Sequence, residues 1–240
     1  MTSSSPIVYL IPSYLHDTVA PETIPASVLP AVKDCQVFFV EDERTARRYL
    51  KSLWKEMVID DYEWIVIHKA EESVRTQLRN HLKLGKNIGI ISEAGCPGVA
   101  DPGQLLVEVA HGVKALVKPL VGPSAILLAL MASGMNGQQF QFVGYLPIDT
   151  GARMKAIRDL EAESARKNCT QLFIETPYRN NPMLETLLKT CAPTTRLCIA
   201  ADITAATEFI QTKSITEWKR DPPNLHKRPT IFCLLAEGRE

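Results

Sequence analysis

The sequence carries no net charge: 27 lysines and arginines are balanced by 27 aspartates and glutamates. Bulk attraction to nucleic acid or to an anionic surface is therefore excluded as its organising feature, and only a local basic patch could serve such a partner. None of the six cysteines (Cys35, Cys96, Cys169, Cys191, Cys198, Cys233) shows the C-x-x-C spacing of a zinc or dithiol site. Residues 2–6 are short and polar, without the apolar core of a signal peptide, so the cysteines are expected to be reduced, cytoplasmic thiols and no metal is expected. The most apolar helix-like run, residues 125–132, falls far short of the ~20 residues that span a bilayer. There is no internal repeat and no low-complexity tract. Glycine is scarce, 12 in 240 residues, yet three glycines and two prolines crowd into residues 95–103.

That crowding marks the stretch around which the chain is organised. Ile88-Gly89-Ile90-Ile91 is a short apolar run of the kind that forms a buried strand. Ser92-Glu93-Ala94-Gly95-Cys96-Pro97-Gly98-Val99-Ala100-Asp101-Pro102-Gly103 then holds too many breakers for a regular element, and an apolar helix-like run over 105–110 follows. Strand, glycine loop and helix in that order form a ligand-binding arrangement in open α/β sheets, where bare backbone admits a flat ligand. The same order also describes an ordinary tight connection.

With 45% hydrophobic residues, the chain can bury one large core or two small ones. Strands are expected at 7–11, 37–40, 64–67, 88–91 and 114–120, with helices at 26–33, 45–54, 71–84, 105–111 and 125–133. The segment 13–25 reads as a loop long enough to be functional. This β/α alternation implies a mainly parallel sheet. Ser133-Gly134-Met135-Asn136-Gly137 breaks it, which places a domain boundary between 136 and 137. Beyond it, strands at 140–146, 169–174, 197–201, 208–211 and 231–235 alternate with helices at 152–163 and 182–191. A polar loop is expected at 218–228. Strands dominate this half, so some pairings should be antiparallel.

Several charged groups fall at predicted strand ends. Glu41-Asp42-Glu43-Arg44 is either a site or a set of acids at a helix N-terminus, where the dipole favours them. His68, at the end of the third strand, is either structural or catalytic. Arg44, Arg47, Arg48, Arg153, Lys155, Arg158 and the basic residues of 219–228 could form a basic rim or simply solvated faces.

Six motifs in register then become specific. Ser92-Glu93-Ala94-Gly95-Cys96-Pro97 with Asp101-Pro102-Gly103 resembles the S-D-A-G-T-P…D-P-G signature of the tetrapyrrole methylase superfamily. Val40 to Arg44 is similar to the A-E-D-T-R of its 16S rRNA (cytidine-2'-O)-methyltransferase branch. Gly122-Pro123-Ser124-Ala125, Gly144-Tyr145-Leu146-Pro147, Glu175-Thr176-Pro177-Tyr178-Arg179 and Leu235-Ala236-Glu237-Gly238 are similar to further segments of that branch. The chain departs from the pattern in the first loop, Ile11 to Asp17, at His68 to Glu72, and at Lys227-Arg228-Pro229.

The resemblance implies an α/β, two-domain tetrapyrrole methylase-like fold. Residues 1–136 would hold a mainly parallel sheet, residues 137–240 a mixed sheet, with a cleft between. It implies S-adenosylmethionine as cofactor, with donor contacts at Pro12, Ala94, Gly95, Cys96, Val99, Ser124, Ala125, Glu175 and Ile203. Candidates for acceptor binding or proton transfer are Glu41, Asp42, His68 and Arg179. It further implies an RNA partner in the small ribosomal subunit, a homodimer and no membrane. Two other readings stay open: methylation of a corrin or porphyrin precursor, and a non-catalytic donor-binding protein.

Overall fold

The computed structural model describes residues 5–16, 21–67 and 72–237. They form two compact units, Met1–Ser124 and Ala125–Glu240.

The first unit is built on β1 (Ile7–Ile11), β2 (Val37–Val40), β3 (Glu63–Val66), β4 (Ile88–Ile91) and β5 (Leu116–Pro119). They pair in the order β3-β2-β4-β1-β5, and every pairing is parallel. Four helices connect them: α1 (Val28–Asp34), α2 (Glu43–Leu53), α3 (Glu72–Lys83) and α4 (Gly103–Gly112). Pro30 sits in the first turn of α1, where backbone N–H groups lack helical partners anyway. β2 and β4 are buried at every position because helices cover both faces, so their sequences read as unbroken apolar runs. On one face Tyr9, Ile11, Phe38, Val40 and Ile91 pack against α1 and α2. On the other, Val8, Phe39, Ile65, Ile88 and Ile90 pack against α3 and α4. The neighbouring strands β1 and β4 therefore send their following helices to opposite faces. In open α/β sheets such a change of face marks the edge where ligands bind.

The second unit pairs β6 (Phe140–Tyr145), β7 (Thr170–Ile174), β10 (Thr230–Leu235), β8 (Arg196–Ala201) and β9 (Phe209–Ser214) in that order. Only β6 and β7 are parallel; the other pairings are antiparallel. α6 (Thr150–Lys167), α7 (Asn180–Thr190) and the short α8 (Ile215–Trp218) cover the face that carries Phe173, Leu197, Ile199, Phe232 and Leu234. α5 (Ala125–Ser133) packs on β8, β9 and β10, and the Ser133 carbonyl accepts from Thr212 Oγ1 at 2.7 Å. This packing explains why the chain divides at Ser124/Ala125 and not at the glycine-containing break near 136. An apolar helix follows the sheet that buries it, whatever the turn signals around it. Among the described residues no helix is long and apolar enough to cross a membrane, and no three His, Cys, Asp or Glu side chains gather to hold a metal.

The expected polar loop at 218–228 opens on α8 instead. A capping box between Ser214 and Glu217 starts this single turn, and Trp218 is buried beneath it with Nε1 donating 2.8 Å to the Leu197 carbonyl. α2 begins two residues before the expected 45 because the Asp42 carboxylate accepts from the Thr45 N–H at 2.7 Å and caps it.

Candidate active site

In the first unit, four loops leave the C-terminal edge of the parallel sheet side by side. After β1 come Pro12, Ser13 and Tyr14; after β2, Glu41 and Asp42; after β4, Ser92 to Gly103; after β5, Leu120 to Ser124. They are stitched together. Ser13 donates its N–H to the Gly95 carbonyl at 2.9 Å and its Oγ to the Ser92 carbonyl at 3.0 Å. Tyr49 of α2 donates its hydroxyl to the Pro12 carbonyl. Cys96 Sγ lies 3.4 Å from the Pro123 carbonyl and 3.8 Å from that of Gly122. Asp101 Oδ1 accepts from the N–H groups of Gly98 at 2.8 Å and Gly103 at 2.7 Å, closing the glycine loop on itself.

Two glycines in this assembly are required by geometry. Gly95 has φ +78°, a left-handed conformation that strains any other residue. A Cβ on Gly122 would lie 2.1 Å and 2.4 Å from carbons of the Pro12 ring. Gly122→Ala is therefore expected to push the β1 and β5 loops apart and cost about 1–3 kcal/mol of stability. Urea denaturation reads this directly, and an unchanged midpoint would show that the two loops part freely.

A cavity of about 170 Å³ opens at this edge, lined by Ser13, Tyr14, Glu41, Asp42, Thr45, Arg48, Tyr49, Ser52 and Glu93 among others. A broader hollow of about 380 Å³ adjoins it, lined by Leu15, His16 and Ala94 and sharing Tyr14, Thr45 and Glu93 with the first.

The charged candidates separate here by environment. Glu41 is half-buried and its carboxyl is raised to about 7, first by desolvation and then by repulsion from Asp101 and Glu93; a bond from the Glu93 N–H opposes this. Asp42 is held below the usual carboxylate range by the Thr45 N–H it caps, so it stays charged. Burial raises the Asp101 carboxyl, although its two backbone bonds pull the other way. His68 lies outside the described residues.

Of the expected donor contacts in this unit, Pro12, Gly95, Cys96 and, through Pro123, Ser124 converge on the stitched loops, while Ala94 is exposed and Val99 is 52% exposed. Ser13, Tyr14 and Tyr49 line the cavity and Asp101 braces the glycine loop beside it, and none of the four is among the expected contacts. Asp101 had a signal in the D-P-G motif, whereas Tyr49 sits on a helix far along the chain from the Pro12 carbonyl it meets.

In the second unit the ends of β6, β7 and β8 and the start of β10 share one edge of the sheet. Glu175 ends β7 with its side chain fully buried. Its Oε1 accepts from Thr176 N–H at 2.7 Å and from Arg179 Nε and Nη2 at 3.0 and 2.6 Å, while its Oε2 is buried without a hydrogen-bond partner. Arg179 is thus engaged by Glu175. Asp202, beside the buried Ile203, accepts from Arg228 Nε at 2.7 Å, and the Lys227 N–H reaches the Pro177 carbonyl at 2.9 Å, joining the three loops. Ala125 opens α5 in this same unit. The Asp202–Arg228 pair links positions 26 residues apart and left no local trace in the sequence.

The sequence pattern of the tetrapyrrole (corrin/porphyrin) methylases matches residues 19–218. The chain belongs to this family. As a tetrapyrrole methylase it is a methyltransferase, and its fold agrees with that of solved members. The methyltransferase CobJ superposes with a TM-score of 0.63 at 17% identity, covering 97% of this chain and 95% of that one. Uroporphyrin-III-C-methyltransferase from Thermus thermophilus gives 0.57 at 15% identity, covering 96% and 92%. Among sequence relatives, ribosomal RNA small subunit methyltransferase I of Vibrio cholerae is 28% identical over 98% of this chain and 78% of its own length. The protein of the same name from Mesorhizobium japonicum is 30% identical over 88% and 68%, and that from Micromonospora olivasterospora 33% identical over 77% and 56%. The chain therefore spans between 56% and 78% of the length of these relatives.

Proposed function

We propose that this tetrapyrrole methylase transfers a methyl group from S-adenosylmethionine to a ribose 2'-hydroxyl in RNA, specifically at a cytidine of the small ribosomal subunit. The observation that carries this reading is Glu41, a half-buried carboxyl raised to about 7 on the wall of a cavity of about 170 Å³. A carboxylate with that affinity for protons suits a group that accepts one from a hydroxyl near neutral pH. The cavity is of a size to admit part of a nucleoside beside Glu41. The names of the sequence relatives agree with this acceptor.

The residues present fit the donor. In the first unit Ala94, Gly95 and Cys96 carry no large side chains of their own, and the exposed Val99 offers apolar surface to an adenine ring. Pro12 and Ser124 complete the assignment there. In the second unit the unpartnered Oε2 of Glu175 is an acceptor suited to an amine or hydroxyl, with Ile203 and Ala125 as apolar neighbours of the donor. When bound, the donor supplies a methyl group on a positive sulfur, so no acid is needed for departure. The chain's own work is to align the hydroxyl with that methyl and to accept its proton. The proton released as the hydroxyl is methylated would pass to the Glu41 carboxylate.

Labelled donor, offered with undermethylated small ribosomal subunits, naked rRNA and a tetrapyrrole precursor, tests this reading. The expected result is label in RNA that resists alkaline hydrolysis at one cytidine. Label in the tetrapyrrole alone would overturn it.

A further inference from the structure

We propose that Tyr14 is a wedge between two nucleotides of the acceptor strand, with the smaller cavity taking the nucleotide to be methylated and the broader hollow its neighbour. This rests on the RNA reading above and goes beyond it by assigning a nucleotide subsite to each space.

The two spaces share a wall of Tyr14, Thr45 and Glu93, so one aromatic side chain borders both. That side chain is held at two points. Its ring meets the Tyr49 ring edge-on, with centroids 4.9 Å apart and planes at 86°, and its hydroxyl pairs with Ser52 Oγ at 2.9 Å. Ser52 is itself fixed by a 2.6 Å bond to the Tyr49 carbonyl, and Tyr49 to Pro12. A ring positioned this way loses little freedom when a base stacks on it. Stacking on aromatic side chains is the general means of holding an unpaired base, and extruding a nucleotide is how enzymes reach atoms that a folded strand hides.

The chemistry of the smaller cavity says which part of a nucleotide enters. Its lining carries the carboxyls of Glu41, Asp42 and Glu93 and the hydroxyls of Ser13, Ser52 and Ser92. Carboxylates accept from ribose hydroxyls and from exocyclic amines such as that of cytosine, and repel phosphate. The base and sugar therefore enter while the phosphates stay outside. At its rim α2 supplies positive charge, from the exposed lining residue Arg48 and from the exposed Arg44 next to Thr45.

The test compares Tyr14→Ala and Tyr14→Phe with the native protein, reading KM for RNA, kcat and donor affinity, together with NMR of labelled tyrosine rings on addition of a short unstructured oligoribonucleotide. Tyr14→Ala is expected to raise KM for RNA on the order of ten- to a hundredfold, the value of one to two stacked bases, with donor affinity unchanged. Tyr14→Phe, which keeps the ring and loses only the Ser52 bond, is expected to raise KM for RNA by severalfold at most, well short of Tyr14→Ala. The native Tyr14 ring signals should shift with the oligonucleotide. An unchanged KM in Tyr14→Ala, with RNA methylation intact, overturns the wedge and leaves the proposed function standing. An equal loss of donor affinity in Tyr14→Ala also overturns it, because the residue is then structural. If the native protein places no label in RNA, the proposed function fails. The wedge, which rests on it, then fails with it, whatever the ring signals show.

Discussion

Replacing Glu41 by glutamine is expected to lower kcat by about 10²–10⁴-fold, the usual worth of a positioned general base. Glutamine keeps the shape and can still face the Glu93 N–H, but it cannot accept a proton. The native rate should rise with pH through about 7, where Glu41 becomes charged, and the variant should lose that limb. Stability should move the opposite way. The folded protein holds the Glu41 proton more tightly than the unfolded chain, whose glutamates titrate near 4.5. Between those two values the native state binds more protons than the unfolded state, so Glu41 makes stability fall as pH rises and leaves a penalty in place above about 7. Glu41→Gln should therefore be more stable than the native protein at about pH 8, and the advantage should vanish near pH 4. Urea denaturation at both values and a pH–rate profile check the two halves. Activity within twofold of native would remove Glu41 from proton transfer.

The other large effect is expected in the second unit. Arg179→Ala takes two donors, at 3.0 and 2.6 Å, from a Glu175 carboxylate whose side chain is fully buried. Only the Thr176 N–H remains to hold that charge, since Oε2 has no partner. Breaking a fully buried pair from one side costs about 3–5 kcal/mol, much of it the cost of the stranded charge; with Arg179 35% exposed, the cost is expected at or below the lower end of that range. Adding Glu175→Gln should recover part of the loss, and the double-mutant cycle measures the coupling. A single-variant cost below about 1 kcal/mol would mean that Glu175 finds water or a proton instead. Because Glu175 is also assigned to the donor, weaker donor binding in Arg179→Ala would follow from a displaced carboxylate and not from a lost phosphate contact.

These cases show what could be read from residue order and what could not. β2 and β4 announce themselves as apolar runs because helices cover both faces of the sheet. The glycine loop announces itself because Gly95 needs a positive φ, and the loop after β5 because Gly122 has no room for a side chain beside Pro12. The second sheet was legible as mixed from its density of strands. The boundary was not, because the turn-rich break near 136 is louder in sequence than the packing of α5 on β8 to β10. Within the site, Glu41 and Asp42 looked alike as neighbouring acids. One sits in a cavity facing two other carboxylates and the other caps a helix, a distinction made by residues 93 and 101, some fifty positions away. The loop that holds Tyr14 was legible as a functional one, but Tyr14 itself was not, since the two cavities it borders exist only once β1, β2, β4 and α2 are assembled.

The place of β1 in its sheet also has a consequence for biosynthesis. It is made before the other four strands of its sheet, yet it lies between β4 and β5 and pairs with neither β2 nor β3. Its nearest pairing partner arrives 80 residues later, where Val8 meets Ile88. At about 5–20 residues per second a ribosome takes roughly 4–16 s to deliver it. For that interval Ile7-Val8-Tyr9-Leu10-Ile11 is an apolar segment without a sheet to join. Nascent chains stalled before residue 88 should therefore recruit holdase chaperones at this N-terminal segment, and chains stalled well beyond residue 119 should release them.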